Sequence, residues 1–201
     1  MWTINHVLQT TSSGTDLVES VLVATSALRT NKGLSFAYSN VEERPDGGKL
    51  YTVSETNHGI IQLRVIQDDV IPARYLEITA ENAQICWDVG IAIEDELPFR
   101  NDTELVEHAR RVGLGAPGAL LNVAIATHGL VAETTAELFI TGLRDADPAV
   151  RKAAVVAISL VPERRFVAPL RSAMRPETIG ELVNMLDYVA NLCESAPTPD
   201  D

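Results

Sequence analysis

No apolar run in this 201-residue sequence reaches the roughly 18 residues that a membrane-spanning helix requires. The opening Met1-Trp2-Thr3-Ile4-Asn5-His6 lacks the basic stretch and apolar segment of a secretory signal, and neither Trp2 nor the final Asp201 belongs to a lipidation motif. These absences predict a cytoplasmic protein with no membrane role. Cysteine is scarce: Cys86 and Cys193 stand far apart, which excludes a disulfide framework and predicts two buried free thiols. Bases are scarce too, with 16 Lys and Arg against 28 Asp and Glu, for a net charge of −12. Such a balance opposes binding to phosphate backbones or anionic lipid and favours solubility or a basic partner.

Convergent catalytic or metal-binding chemistry is equally sparse. His6, His58, His108 and His128 show no metal-ligand spacing with one another, with cysteine or with clustered acids. The sequence predicts no metal and no cofactor. Gly113, Gly115 and Gly118 satisfy the G-x-G-x-x-G spacing, but Glu107-His108-Ala109-Arg110-Arg111 before them reads as a helix. A dinucleotide turn needs a strand there, so the glycines read as an inter-helix loop. Cys86-Trp87-Asp88 reads as part of a strand, with Cys86 structural unless a base stands beside it. The acids Glu94-Asp95-Glu96, with Asp102 and Glu104, read as a solvated linker, a cation site being the alternative.

What is present divides the chain in two. Residues 1–98 read as an α+β domain. Trp2, Ile4 and Leu8 suggest an opening strand, and Leu17, Val18, Val21, Leu22 and Leu28 make one face of a helix capped by Ser13 or Thr15. A period of two then takes over at Leu34, Phe36 and Tyr38. Pro45-Asp46-Gly47-Gly48 marks a hairpin, Asn57-His58-Gly59 a second turn, and Ile61, Leu63 and Val65 a clean strand. Asp68-Asp69 and Pro72 end it. Leu76 and Ile78, then Ile85, Trp87 and Val89 continuing to Ile91 and Ile93, complete a meander of four to six antiparallel strands with one helix packed on it.

Residues 102–193 read as helical throughout, and 194–201 as a disordered tail. Pro117, Pro148 and Pro176 fall about 30 residues apart, each placed to begin a helix, which predicts helical hairpins over 103–128, 131–160 and 163–193. In the central one, Ala132, Ala136, Phe139, Ile140 and Leu143 form one stripe. Val150, Ala153, Ala154, Ala157, Ile158 and Val161 form the next, behind an Asp147 cap. The segment from Leu143 to Ala154, with Asp145-Ala146-Asp147-Pro148 at the turn and Val150-Arg151-Lys152 after it, resembles the HEAT repeats of phycobilin-lyase-type proteins. The resemblance covers under half the chain. It implies that Asp145, Asp147 and Pro148 build the repeat turn and that Arg151 holds neighbouring repeats. It identifies an architecture rather than an activity.

The residues together favour a non-catalytic protein-interaction module over an enzyme, an inhibitor or immunity-type protein for a basic partner being one form. Two alternatives stand beside it: a HEAT-like enzyme or lyase acting on a base or tetrapyrrole, and a nucleic-acid binder. The second would use a basic strip over residues 144–175, where seven bases meet three acids. Arg151 is expected to pair within the stack, leaving Arg164, Arg165 and Arg171 free to meet a partner.

Overall fold

The computed structural model describes residues 1–8, 14–45, 48–57, 61–68, 73–94, 97, 99–116, 118–127 and 130–197. The fold is α+β, and the chain divides into two compact units, Met1–Asn101 and Asp102–Asp201.

The first unit is a six-stranded antiparallel sheet of β1 (Trp2–Leu8), β2 (Phe36–Glu43), β3 (Lys49–Glu55), β4 (Ile61–Asp68), β5 (Ala73–Ala80) and β6 (Phe99–Arg100), in the order β2-β3-β4-β5-β1-β6. Alternation decides its faces. Val53, Leu63, Ile78 and Ile4 pair in one row across four strands, all buried. The neighbouring rows, Ser54–Gln62–Thr79–Thr3 and Thr52–Arg64–Glu77–Asn5, point to the opposite face and are polar. On that face Arg64 bridges Glu77 at 3.0 Å. The apolar face is covered by α1 (Gly14–Lys32) and α2 (Ala83–Glu94), whose buried residues Leu17, Val18, Val21, Leu28, Cys86, Val89 and Ile93 share one core with the strands.

Three expectations for this unit need correction. Two helices cover the sheet, not one. Residues 83–94, expected as a strand from Ile85, Trp87 and Val89, are helical. Cys86, Val89, Gly90 and Ile93 also satisfy a helical period, and Asn82 caps the helix by accepting the Gln84 N–H at 2.7 Å. An apolar-rich segment satisfies both periods, and only the cap separates them. The sheet also extends past residue 98, because Phe99–Arg100 pairs with β1. The hairpin between β2 and β3 closes with the Arg44 N–H on the Gly48 carbonyl at 2.8 Å. The Asp46-Gly47 centre of that turn, Ser13, His58-Gly59, Asp69, Pro72, Asp95-Glu96, Pro117 and His128 lie outside the described residues.

The second unit contains α3 (Asp102–Val112), α4 (Ala119–Ala126), α5 (Glu133–Gly142), α6 (Pro148–Leu160), a 3-10 turn over Arg164–Phe166, α7 (Val167–Met174) and α8 (Gly180–Glu194). Consecutive helices pack as the pairs α3–α4, α5–α6 and α7–α8, and α6 packs against both α4 and α8. Small residues permit this. A Cβ on Gly142 would lie 2.9 Å from Ala154 Cβ and 3.0 Å from Leu120 Cδ1. Val150, Ala154, Val155, Ala157 and Ile158 are buried, while Ala153, Val156 and Val161 are only partly so. Phe139 and Phe166 pack between the second and third pairs with ring centroids 6.3 Å apart.

The helix starts follow two different rules. Asp147 accepts the Ala149 N–H at 2.8 Å, with Pro148 as the first helical residue of α6. Pro176 does not begin a helix; α8 starts four residues later, at Gly180. Glu177 occupies the link between them, its carboxylate accepting the Thr178 and Ile179 N–H groups at 3.0 Å each. Gly113 ends α3 at φ +89° and Gly118 precedes α4 at φ +74°, both left-handed, so the glycine-rich segment joins two helices. Residues 194–196, expected in a disordered tail, belong to the fold. Glu194 belongs to α8, Ala196 is buried, and the Ala196 carbonyl accepts an N–H from Arg164.

Candidate interaction surfaces

The basic strip is the first candidate, and most of it is committed to the fold. Arg151 donates Nε to Glu177 at 2.8 Å and a second N–H to its other oxygen at 3.2 Å, and also donates to the carbonyls of Asp145 and Ala146. This fork joins the α5–α6 turn to the α7–α8 link. The Glu177 side chain is 2% exposed. The Arg151 guanidinium and the two backbone N–H groups hold its carboxyl well down, at about 2. Asp145 also accepts the Asp147 N–H at 2.8 Å, so both turn aspartates act as backbone acceptors. Lys152 adds a parallel bridge to Glu181 at 2.7 Å and lowers that carboxyl too.

Arg164, Arg165 and Arg171, expected to be free, are engaged instead. Arg165 donates to Glu163 at 2.6 Å, to Glu133 at 3.1 Å and to the Val131 carbonyl at 2.7 Å. Glu163 in turn accepts the Val131 N–H, so this cluster ties the entrances of the second and third hairpins. Arg171 pairs with Asp187, Asn191 and Glu194 across α7 and α8. Arg164 spends one N–H on Ala196. The physical reason is spacing: once the hairpins stack, Glu133 falls opposite Arg165, as Glu177 and Glu181 fall opposite Arg151 and Lys152, while Asp187 faces Arg171 across its own hairpin. Two arginines remain. Arg144 and Arg175 make no side-chain hydrogen bond or ion pair with a described residue. A nucleic-acid reading that needs a continuous free strip finds most of its cations already paired.

The second candidate is the helix layer of the first unit. α2 turns Cys86, Val89, Gly90 and Ile93 inward, which leaves Trp87 and Ile91 outward, 47% and 56% exposed. Trp2 on β1 is 59% exposed, and its carbonyl lies 3.8 Å from Cys86 Sγ, which sets the start of β1 beside α2. Tryptophan is enriched among the residues that anchor protein interfaces. Acids surround this layer. Glu81 and Glu94 are exposed on α2 and its approach, and Asp88 is held below its usual range by Lys32 and Gln84. On α1, Asp16, Glu19 and the exposed Val23 line a depression with Leu97.

Cys86 donates to the Ile78 carbonyl at 3.3 Å, and burial pushes its thiol up, as it does that of Cys193. Neither is an activated nucleophile. His6 is buried on β1, with Nδ1 3.0 Å from Glu94 and its ring tilted against Phe99. Among the described residues no group of three or more His, Cys, Asp or Glu is gathered as a metal site. Among them too, no helix is long and apolar enough to cross a membrane.

No protein-family model, curated protein or solved structure matches the chain. The candidate surfaces therefore stand on geometry and chemistry. The exposed pair Trp87 and Ile91 is not legible in the apolar pattern of the sequence, because a strand over 85–93 sends Trp87 and Ile91 to the same face as Ile85, Val89 and Ile93. The Asn82 cap was the signal that would have exposed it.

Proposed function

We propose that this protein is a non-catalytic interaction module whose N-terminal helix layer binds a basic partner protein. The observation that carries the reading is the exposure of Trp87 and Ile91 one turn apart on α2. Anchors of this type contribute most of the affinity of a protein interface. The charge of the unit sets the sign of the partner: residues 1–101 carry 14 acids and 7 bases. Long-range attraction from such a surface accelerates encounter with a basic protein more than it deepens the bound state. In this reading the C-terminal unit is a HEAT-like stack. Its support is the Asp147 cap, Pro148 at the first helical position and the Arg151 fork between hairpins.

The test is comparative capture from native extract by the full chain and by the Trp87→Ala/Ile91→Asp double variant. A stoichiometric partner of high pI, retained by the natural chain at low salt and lost by the variant, is the expected result. Equal capture by both proteins, or capture indifferent to salt, overturns the assignment.

A further inference from the structure

The two uncommitted arginines direct attention to the edge where the second and third hairpins turn. A groove of about 390 Å³ lies there, between the α5–α6 turn and the α7–α8 link. Leu143, Pro169, Ala173 and Pro176 give it apolar walls, and Arg144 and Ser172 line it with donors that have no partner among the described residues. A cavity of this size with a few unsatisfied polar groups on apolar walls is the usual form of a binding site.

The other charges of the groove are spent. Arg151 and Glu177 saturate each other, since the two Glu177 oxygens accept four N–H groups from Arg151, Thr178 and Ile179. Asp145 accepts the Asp147 N–H and faces the charge of Arg151. Arg144 is thus the one charged group lining the groove that has no partner among the described residues. A single carboxylate suits it. A dianion such as phosphate is opposed by Asp145 and Glu177 on the same walls.

A second depression, of about 150 Å³, lies on the other side of the first turn of α6. Pro148, Ala149, Ile179, Leu182 and Met185 line it, with the Lys152–Glu181 bridge at its rim. A cavity of about that volume takes one benzene-sized group. Arg151 and Lys152 are consecutive, and Glu177 and Ile179 belong to one link, so the same two chain segments shape both depressions. We propose that this turn edge docks an acidic segment of a partner protein. One carboxylate pairs with Arg144, and a neighbouring aliphatic side chain fills the apolar depression. The proposal does not rest on the N-terminal surface, which has the opposite charge preference and lies on the other unit.

The test is NMR titration of the full chain with a blocked tetrapeptide containing one glutamate and one leucine, with its glutamine counterpart, and with inorganic phosphate. The glutamate peptide should saturably shift the Arg144 Nε–H signal and the Ile179 and Met185 methyls. The glutamine peptide should bind about tenfold more weakly, the loss of one charge-assisted pair, and phosphate should leave these signals in place. Arg144→Gln should weaken the response of the Ile179 and Met185 methyls by a similar factor, about tenfold, with an unchanged melting temperature. Absence of a saturable shift, equal binding of the glutamine peptide or phosphate, or equal shifts at the paired Arg165 and Arg171 overturns the proposal.

Discussion

Acids outnumber bases two to one in the sheet unit, where Asp88 and Glu77 pair with Lys32 and Arg64. In the helical unit the ratio is 14 to 9, and four of the nine bases, Arg151, Lys152, Arg165 and Arg171, are bound to acids. The difference follows from how each unit is held together. A sheet gains its cohesion from backbone ladders and one apolar face, so its charges are not needed inside and can project outward. A stack of short hairpins is joined only through neighbours, and charge pairs at the turns help fix the register from one hairpin to the next. In the second unit the charge pairs join one helical hairpin to the next, as Arg151–Glu177 and Arg165–Glu133 do.

The sharpest way to break this comparison is Ala154→Asp. Ala154 is fully buried against Gly142, and an unpaired carboxylate there costs several kcal/mol, against a whole-domain margin of about 5–15 kcal/mol. The helical circular dichroism of the second unit should be lost. Both tryptophans lie in the first unit, so tryptophan fluorescence reports the sheet separately. An unchanged fluorescence transition is expected, and a shifted one would show that the units do not unfold independently.

Gly142→Ala should cost less, about 1–3 kcal/mol from overpacking, because the added methyl meets Ala154 Cβ, which has no rotamer to change. Gly90→Ala in α2 should cost less again. Its nearest neighbours, Ile4 Cδ1 at 2.9 Å and His6 Nε2 at 3.2 Å, are the ends of side chains that can shift. Melting temperatures of the two variants measure the contrast, and a larger loss for Gly90→Ala would reverse it.

Acid should loosen the helical unit through Glu177. Its carboxyl titrates at about 2 in the folded protein, below the unfolded value near 4.5, so the unfolded chain binds the proton first. The stability it supplies is complete above about pH 4.5 and is lost as pH falls towards 2. Glu177→Gln should lower the melting temperature at neutral pH and flatten this acid-dependent part of the curve. An unaltered pH profile in the variant would show that the Arg151 fork contributes nothing.

The smallest effects should separate stitched from unstitched bases. Arg165→Glu sets a carboxylate beside Glu163 and Glu133 and should lower the melting temperature modestly. Arg144→Glu removes no contact of the fold and should leave it unchanged. Equal melting temperatures for the two variants would mean that the Arg165 cluster is surface decoration.

The sequence by itself determined the elements with strong local signals. The strand at Ile61–Asp68, the first helix and the turn at Asp147-Pro148 are all where a period of two, a period of 3.6 and a cap place them. The α+β class was legible for the same reason. Residues 83–94 were not, because five apolar residues at alternate positions fit a strand as well as a helix. The Asn82 cap is the one local sign of a helix, and packing of Cys86, Val89 and Ile93 onto the sheet fixes it. Tertiary structure alone placed β1 between β5 and β6, since strand order is a long-range choice that no local pattern encodes. It also decided the role of the bases. Arg164, Arg165 and Arg171 read as a free strip in one dimension, and became ties when stacking brought Glu133, Asp187 and the Ala196 carbonyl within reach. Charge on a side chain is a local property, whereas its availability depends on which distant groups the fold brings within about 4 Å.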